Sequence, residues 1–498
     1  MAPLGDFIEG DFRIPKDPSG EWRILSPADL SDEVGVFQNA HSSIDESVAA
    51  ARKAFVSWKR LAPGSRADHL RKLRGSLERN QAGIIEGISR EIGKPRWEAQ
   101  TEAAAMLDKI DITLAESARF AIEFEIPDLM EGTRGACRYR PRGVMAVIGP
   151  FPFPGLLPLG QIVPALLMGN TVVFKPSEKA PLTSEWIARC FQEAGFPPGV
   201  FNLIQGGADT GRRLCVHEGV DGILFTGSHE SGTRIKQDTL SQHWKLLSLQ
   251  MGGKNAVIVW EDAELEFAVH AVLVGAFLTA GQRCVSTSRV VVHSRLFESF
   301  VETLHRRAKA FRIGPPKAEA FMGPLIDSSA VDRYLKFQGI AAREGGELVM
   351  RGKSLELETR GHYVTPSICR LDEVTVEQVR KSAFQQIEIL APNVAVMKAS
   401  ELEQAIALAN ASQYGLVASV FSANRSVYRK CWEDLQAGVI HWNKATIDQS
   451  SRLPFGGLRK SGNHRSAGLM AVLSCADPIA SLETEHPQAG SGDVYPGL

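Results

Sequence analysis

The sequence has no CxxC pair. Its seven cysteines stand singly, at 137, 190, 215, 284, 369, 431 and 475. An odd set of scattered thiols builds neither a disulfide framework nor a zinc ribbon, so a reduced, cytoplasmic protein without a metal site is expected. There is no surplus of either charge: the formal net charge is -1. That excludes the electrostatic footprint of a general nucleic-acid or anionic-membrane binder. No apolar run reaches the roughly 18 residues of a membrane span. The opening MAPLGDFIEGDFR lacks a basic patch followed by an apolar stretch, so no secretory signal is expected. Neither HExxH nor a Ser/His/Asp arrangement is present.

What is present is material for large cores: 498 residues, 44% hydrophobic and 23% charged, enough for two or three domains. The N-terminal third reads as helical. SIDESVAAARKAFVSWK opens with a capping box, Ser43 to Glu46, and puts Val48, Ala51, Phe55 and Trp58 on one face. Leu70, Leu73 and Leu77 mark a second helix, and a long one is expected over 96–120. From residue 143 short β-rich runs alternate with helical ones: VMAVI, TVVFK, VFNLI, GILFT, NAVIVW. A second series follows from residue 289: RVVVH, NVAVM, GLVASVF, AGVIH. Such alternation is the pattern of βαβ units in parallel sheets, and it predicts two α/β domains. The Pro- and Gly-containing ending HPQAGSGDVYPGL reads as a loosely held tail.

Four stretches can carry chemistry, and each has a plainer reading. FTGSHESG, from Phe225 to Gly232, joins a strand to a helix. Its amides and the helix dipole suit a pyrophosphate; otherwise it is a tight turn. In VVFKPSE, Lys175 and Glu178 can grip ribose hydroxyls, or form a solvated pair. A carboxylate there favours NAD over NADP by repelling a 2′-phosphate. Cys284 in GQRCVSTSR is either a small buried hydrophobe or a thiol whose pKa a nearby cation or helix terminus lowers. PFGGLRKSGNHR, residues 454–465, can bind an acidic substrate or be a solvated interdomain loop.

These pieces occur in one order, together with EIGKPRWEAQTEA, PRGVMAVIGP, PALLMGNTVVFKPSE, GFPPGVFNLIQG, MGGKNAVIV, AIALAN and YGLVASVF. In that order the chain resembles the aldehyde dehydrogenase family over essentially its full length. FPGLLPLGQIVPALLMGNTVVFKPSE and the ending SGNHR look most like the branch acting on N-succinylglutamate 5-semialdehyde, in the arginine succinyltransferase route. The resemblance implies a Rossmann-like NAD-binding domain over 1–121 and 143–252, and an α/β catalytic domain over 253–446. A β oligomerisation arm with the C-terminal segment would take 122–142 and 447–498, giving a homodimer or homotetramer. Carried over by motif, Cys284 is the nucleophile. Lys175, Ser177 and Glu178 lie at the adenosine ribose, and Thr226, Gly227, Ser228 and Gly232 at the pyrophosphate. Glu388 holds the nicotinamide ribose, although Leu390 and Ala391 replace the Phe and Gly that follow it in the family motif. The partner implied is a small acidic aldehyde, with Arg452 and Arg465 meeting its carboxylate.

Two positions depart from the family pattern. Relatives carry an oxyanion-stabilising Asn where this chain has Pro152, which has neither a side-chain donor nor a backbone N–H. Relatives carry a water-activating Glu where this chain has Gln250, an amide that can position water but not take its proton. Three readings stand at this point: an aldehyde dehydrogenase with altered or impaired catalysis, a non-catalytic NAD-binding relative, and an enzyme that passes its acyl group to coenzyme A.

Overall fold

The computed structural model describes residues 3–486, and most of the C-terminal tail lies outside them. Two seven-stranded sheets organise the chain. In the first, Leu246–Gln250, Gly222–Thr226, Val144–Ile148, Thr171–Lys175 and Phe201–Leu203 lie side by side and parallel. In chain order that arrangement is 5-4-1-2-3, so the strand order reverses between Val144–Ile148 and Gly222–Thr226. Such a switch point opens a crevice beyond the strands' carboxyl ends. VMAVI, TVVFK and GILFT are buried on both faces, as continuous apolar runs in a parallel sheet must be.

The second sheet runs Glu347–Met350, Ser367–Leu371, Asn393–Ala399, Thr287–His293, Asn255–Val259, Val417–Phe421 and Val439–Trp442, with only its first strand antiparallel. A third, antiparallel sheet joins Ala476–Glu483, Thr133–Pro141 and Phe124–Met130. Every residue of Phe124–Met130 is exposed. The ladders align Ile126 and Leu482 on opposite sides of Gly135, and Phe124 and Ala480 on opposite sides of Cys137.

The N-terminal third corrects the helical expectation. Strands Asp6–Ile8, Asp11–Arg13, Gly20–Ser26 and Asp29–Asn39 precede the first helix. Asp6–Ile8 and Asp11–Arg13 form a hairpin whose turn residues, Glu9 and Gly10, both have positive φ, and this hairpin extends the first sheet. The first helix, Ser42–Trp58, has no capping box: His41 is its N-cap and no side chain caps it. Its buried face holds Val48, Ala51 and Trp58, with Phe55 only half-buried. A capping box does occur at Thr375 and Gln378. The long helix is Arg96–Glu116, followed by a 3-10 turn.

Candidate active site

The carboxyl ends of the first sheet and the loop before Thr287–His293 enclose one cavity of about 890 Å³. Pro152, Lys175, Ser177, Glu178, Thr226, Gly227, Ser228, Gln250, Cys284 and Glu388 all line it. Residues more than 230 positions apart in sequence thus face one space.

Cys284 is aimed by a strained turn. After helix Leu265–Phe277 the chain passes through Thr279, Ala280 and Gly281, all at positive φ. At Gly281 a Cβ would stand 2.3 Å from the Ala391 carbonyl oxygen, so no larger residue fits that backbone. Asn255 then fixes the loop: its Nδ2 donates to the carbonyls of Cys284 and Ser286, each at 2.8 Å, and its Oδ1 accepts from the Val417 amide. Of the two settings open to this thiol, the one that would lower its pKa does not prevail. Burial pushes the Cys284 thiol up to about 12, and the nearby negative charge of Glu388 adds to the rise. Backbone amides of Cys284 and Val285 and the charge of Arg283 oppose it without reversing it.

Glu388 lies against the Gly252–Gly253 turn. Its Oε1 accepts from the Gly253 amide at 3.1 Å, and a Cβ on Gly252 would come within 1.8 Å of its Oε2. Burial raises this carboxyl to about 7, opposed by that hydrogen bond and by Lys254. Two residues before the turn, Gln250 ends its strand at 2% exposure. Its Oε1 accepts from Ser466 Oγ at 3.3 Å, while its Nε2 has no hydrogen-bond partner.

The loop carrying Pro152 is braced from behind. Glu102 Oε1 accepts the amides of Gly155 and Leu156 at 3.0 and 3.2 Å, holding the first turn of helix Leu156–Leu167. Lys94 pairs with Glu102 at 2.6 Å and lies over the Phe153 ring, which Arg283 also faces. Arg283 in turn pairs with Glu98 at 3.0 Å. The stripe Glu98, Glu102, Ala105, Lys109 repeats at helical spacing on Arg96–Glu116 and lines the cavity. This buried polar face went unread in the sequence. Charged residues at i, i+4 and i+11, Glu98, Glu102 and Lys109, were its signal.

At the other end of the cavity, Lys175 is buried, donates to the Gly206 carbonyl at 2.7 Å and stands 3.9 Å from the Glu178 carboxylate. Ser228 caps helix His229–Asp238, its Oγ accepting from the Ser231 amide at 3.1 Å. Gly232 is absent from the cavity wall; it packs on Met251, whose sulfur a Cβ would meet at 2.4 Å.

Arg452 and Arg465 are not brought into the cavity. Arg452 pairs at 2.8 Å with Glu116, and Arg465 donates to the neighbouring His464 carbonyl. The glycine-rich loop has a structural task instead. Asn463 caps the edge of Leu246–Gln250, giving hydrogen bonds to and from Leu249 and donating to the Leu247 carbonyl. The segment just before it does reach the cavity, through Ile447, Gln449, Ser450 and Ser451, as does Phe455 at the start of the loop.

A crevice at the switch point of a doubly wound sheet, closed by a second α/β layer that brings Cys284 to it, is a dehydrogenase-like arrangement. The chain belongs to the aldehyde dehydrogenase family, whose model matches residues 15–477. It is 39% identical over 500 residues to the N-succinylglutamate 5-semialdehyde dehydrogenase of Chromobacterium violaceum, covering 99% of each chain. The protein of that name from Escherichia coli is 37% identical, over 97% of this chain and 95% of its own length. Among solved structures, the NAD-dependent aldehyde dehydrogenase of Sinorhizobium meliloti matches with a TM-score of 0.92 at 27% identity, covering 99% of this chain and 97% of that one. Betaine aldehyde dehydrogenase of Staphylococcus aureus, solved with NAD, also gives 0.92, at 25% identity and 98% and 95% coverage. The family and fold read from the motifs are borne out, as is the likeness to the succinylglutamate branch.

Proposed function

We propose that this protein oxidises an acidic aldehyde, N-succinylglutamate 5-semialdehyde being the leading candidate, with NAD as acceptor, and that Pro152 and Gln250 slow the reaction. The observation that carries the reading is the convergence of Cys284, Glu388 and the Lys175–Glu178 pair on one cavity at the sheet's switch point. The names of the relatives at 37–39% identity support the choice of substrate.

The cavity's donors fit a dinucleotide. The amides of His229 and Glu230, in the first turn of helix His229–Asp238, have no partner within the helix and suit a pyrophosphate, that of Ser231 being taken by Ser228 Oγ. Ser177, Lys175 and Glu178 would hold the adenosine ribose and Glu388 the second ribose. The exposed Glu178 carboxylate disfavours a 2′-phosphate, hence NAD over NADP. Bound there, the nicotinamide supplies the acceptor for the hydride that the aldehyde carbon loses.

The chain's own groups do the rest. Cys284 sulfur adds to the aldehyde carbon, and the proton it sheds leaves the buried site. Amides of Cys284 and Val285 face the sulfur and stabilise nearby negative charge. Pro152 offers no second donor. Hydride loss converts the adduct to a thioester on Cys284, and an acceptor hydroxyl must then displace the sulfur. Gln250 positions that water but leaves its proton unclaimed. This last point favours a second reading, in which a thiol such as coenzyme A takes the acyl group.

The arm sheet, with its exposed apolar row, supports a homodimer or homotetramer, and the free thiols of all seven cysteines suit the cytoplasm. Among the described residues no helix is long and apolar enough to cross a membrane. Titration calorimetry with NAD, followed by oxidation of acidic and neutral semialdehydes with and without coenzyme A, tests the reading. Absence of NAD binding at millimolar concentration would sink it. A strict need for coenzyme A would move it to acyl transfer.

A further inference from the structure

Helix Arg96–Glu116 carries a cation that the family's motifs leave unassigned. Lys109 is 2% exposed and lines the cavity. Its Nζ has one hydrogen bond, to the Gly468 carbonyl at 3.3 Å. An ammonium has three donors, so two are unspent. Among the described residues Lys109 has no ion-pair partner. Other cationic groups on the cavity wall are accounted for. Lys175, Lys179, Arg212 and Arg283 each face a carboxylate. Arg234 and Arg333 are exposed to solvent. Glu102, one cavity-facing step back along the same helix, is already held by Lys94 and two backbone amides.

Burying an ammonium without an anion is costly, and natural sites seldom keep one without a use. The cost shows in Lys109 itself, whose pKa burial lowers to about 8. An apolar residue would fill this place at no such cost. Gly160 packs against its stem, and the one titratable group that acts on its charge is the buried thiol of Cys475.

We propose that Lys109 binds the remote carboxylate of the aldehyde substrate and sets the enzyme's preference for acidic aldehydes. The inference rests on the reading of this cavity as the site of aldehyde oxidation. Glu98, at the start of the stripe, holds Arg283, the residue before Cys284. Lys109 lies eleven residues further along, about 16 Å of helix rise. A carboxylate several bonds from the aldehyde, as a succinylated amino-acid semialdehyde has and a short aldehyde lacks, suits a cation set apart on the same cavity wall as Cys284. Lys109 thus takes the role that the sequence suggested for Arg452 and Arg465.

Binding can be measured without turnover. N-succinylglutamate, glutarate and the trimethyl ester of N-succinylglutamate are titrated calorimetrically into the full-length protein and into Lys109→Met. The variant keeps the volume and removes the buried charge, so it should fold. N-succinylglutamate affinity should fall roughly 10- to 100-fold in the variant, and ester affinity should not change. A folded variant that binds the acid as tightly as the parent overturns the inference.

The unaltered protein gives an independent readout. Its affinity for the acid, relative to the ester, should be steady near pH 7 and fall above about 8, as Lys109 loses its proton. Cys475, pushed up to about 12, stays neutral over that range; the other acidic groups near Lys109 on the same helix are Glu102, paired with Lys94, and the exposed Asp108. A flat profile to pH 9.5 also overturns the inference. If N-succinylglutamate fails to bind but glutarate binding depends on Lys109, the substrate named above falls and the carboxylate site stands. If NAD-dependent aldehyde oxidation proceeds with a KM indifferent to Lys109, the reading of the cavity stands and this inference falls.

Discussion

Replacing Gln250 by Glu should change which step limits the reaction. The side chain ends a sheet strand at 2% exposure, with Ser466 Oγ 3.3 Å from its oxygen. A glutamate keeps that size and that contact while adding a proton acceptor. Glu388, already raised to about 7, packs on the Gly252–Gly253 turn just beyond. A second carboxyl in this buried place would also be raised toward neutrality, where a general base works best. General-base catalysis contributes roughly 10²–10⁴-fold, so thioester hydrolysis should accelerate by about that factor. The overall turnover should gain less, because oxyanion support is still missing at Pro152. Removing one such donor costs about 2.7–4 kcal/mol, roughly 10²–10³ in rate. Stopped-flow absorbance of NADH separates the two steps. The parent should release one equivalent of NADH per subunit and then turn over slowly. Gln250→Glu should abolish the burst by raising the steady rate. Pro152→Asn should instead speed the burst phase and leave the steady rate nearly unchanged. The double variant should exceed both. If Gln250→Glu folds, binds NAD and keeps the parent's burst and steady rate, hydrolysis is not limited by a missing base and the reasoning fails.

Three further outcomes follow from the same groups. With its pKa near 12, Cys284 should be alkylated slowly by iodoacetamide at pH 8, and Glu388→Gln, by removing a negative charge, should lower that pKa and raise the rate; an unchanged rate would mean the two groups do not interact. Glu178→Gln should narrow the NAD-to-NADP affinity ratio by roughly fivefold to tenfold in calorimetry, and an unchanged ratio would remove Glu178 from cofactor choice. Light scattering at micromolar concentration should find a dimer or tetramer, and Ile126→Glu with Leu482→Glu, placed across Gly135 in the arm sheet, should yield monomers; a monomeric parent would contradict the role of the arm.

Where the sequence was legible, burial left few options. VMAVI, TVVFK and GILFT can only be two-faced central strands, and their helices follow from amphipathic spacing. Leu246–Gln250 escaped notice because it lies at the edge, where Asn463 rather than a further full strand satisfies its backbone. The N-terminal strands escaped because the first two are only three residues long and the next two carry many polar and charged residues, so they hold their shape through pairing rather than composition. Motifs located Cys284, Lys175, Glu178, Ser228 and Glu388, which the fold brings to one cavity, since each motif is local in sequence. They misled for Arg452, whose charge is answered by Glu116, a partner that only the folded chain brings near. They also could not show that Cys284 sits beside a carboxylate in a setting that raises its thiol pKa. Lys109 was hidden inside a helix that read as ordinary packing, because nothing in one dimension shows that its ammonium lacks an anion.

The central claim, that Cys284 accepts an aldehyde and yields a reduced dinucleotide, is tested most directly by a single-turnover experiment. Protein in excess is mixed with N-succinylglutamate 5-semialdehyde and NAD, and NADH absorbance is followed in the parent and in Cys284→Ala. The parent should form one NADH per aldehyde supplied, however slowly the acyl group then leaves, and the variant should form none. No NADH from a parent that binds both ligands, or equal NADH from Cys284→Ala, would contradict the account.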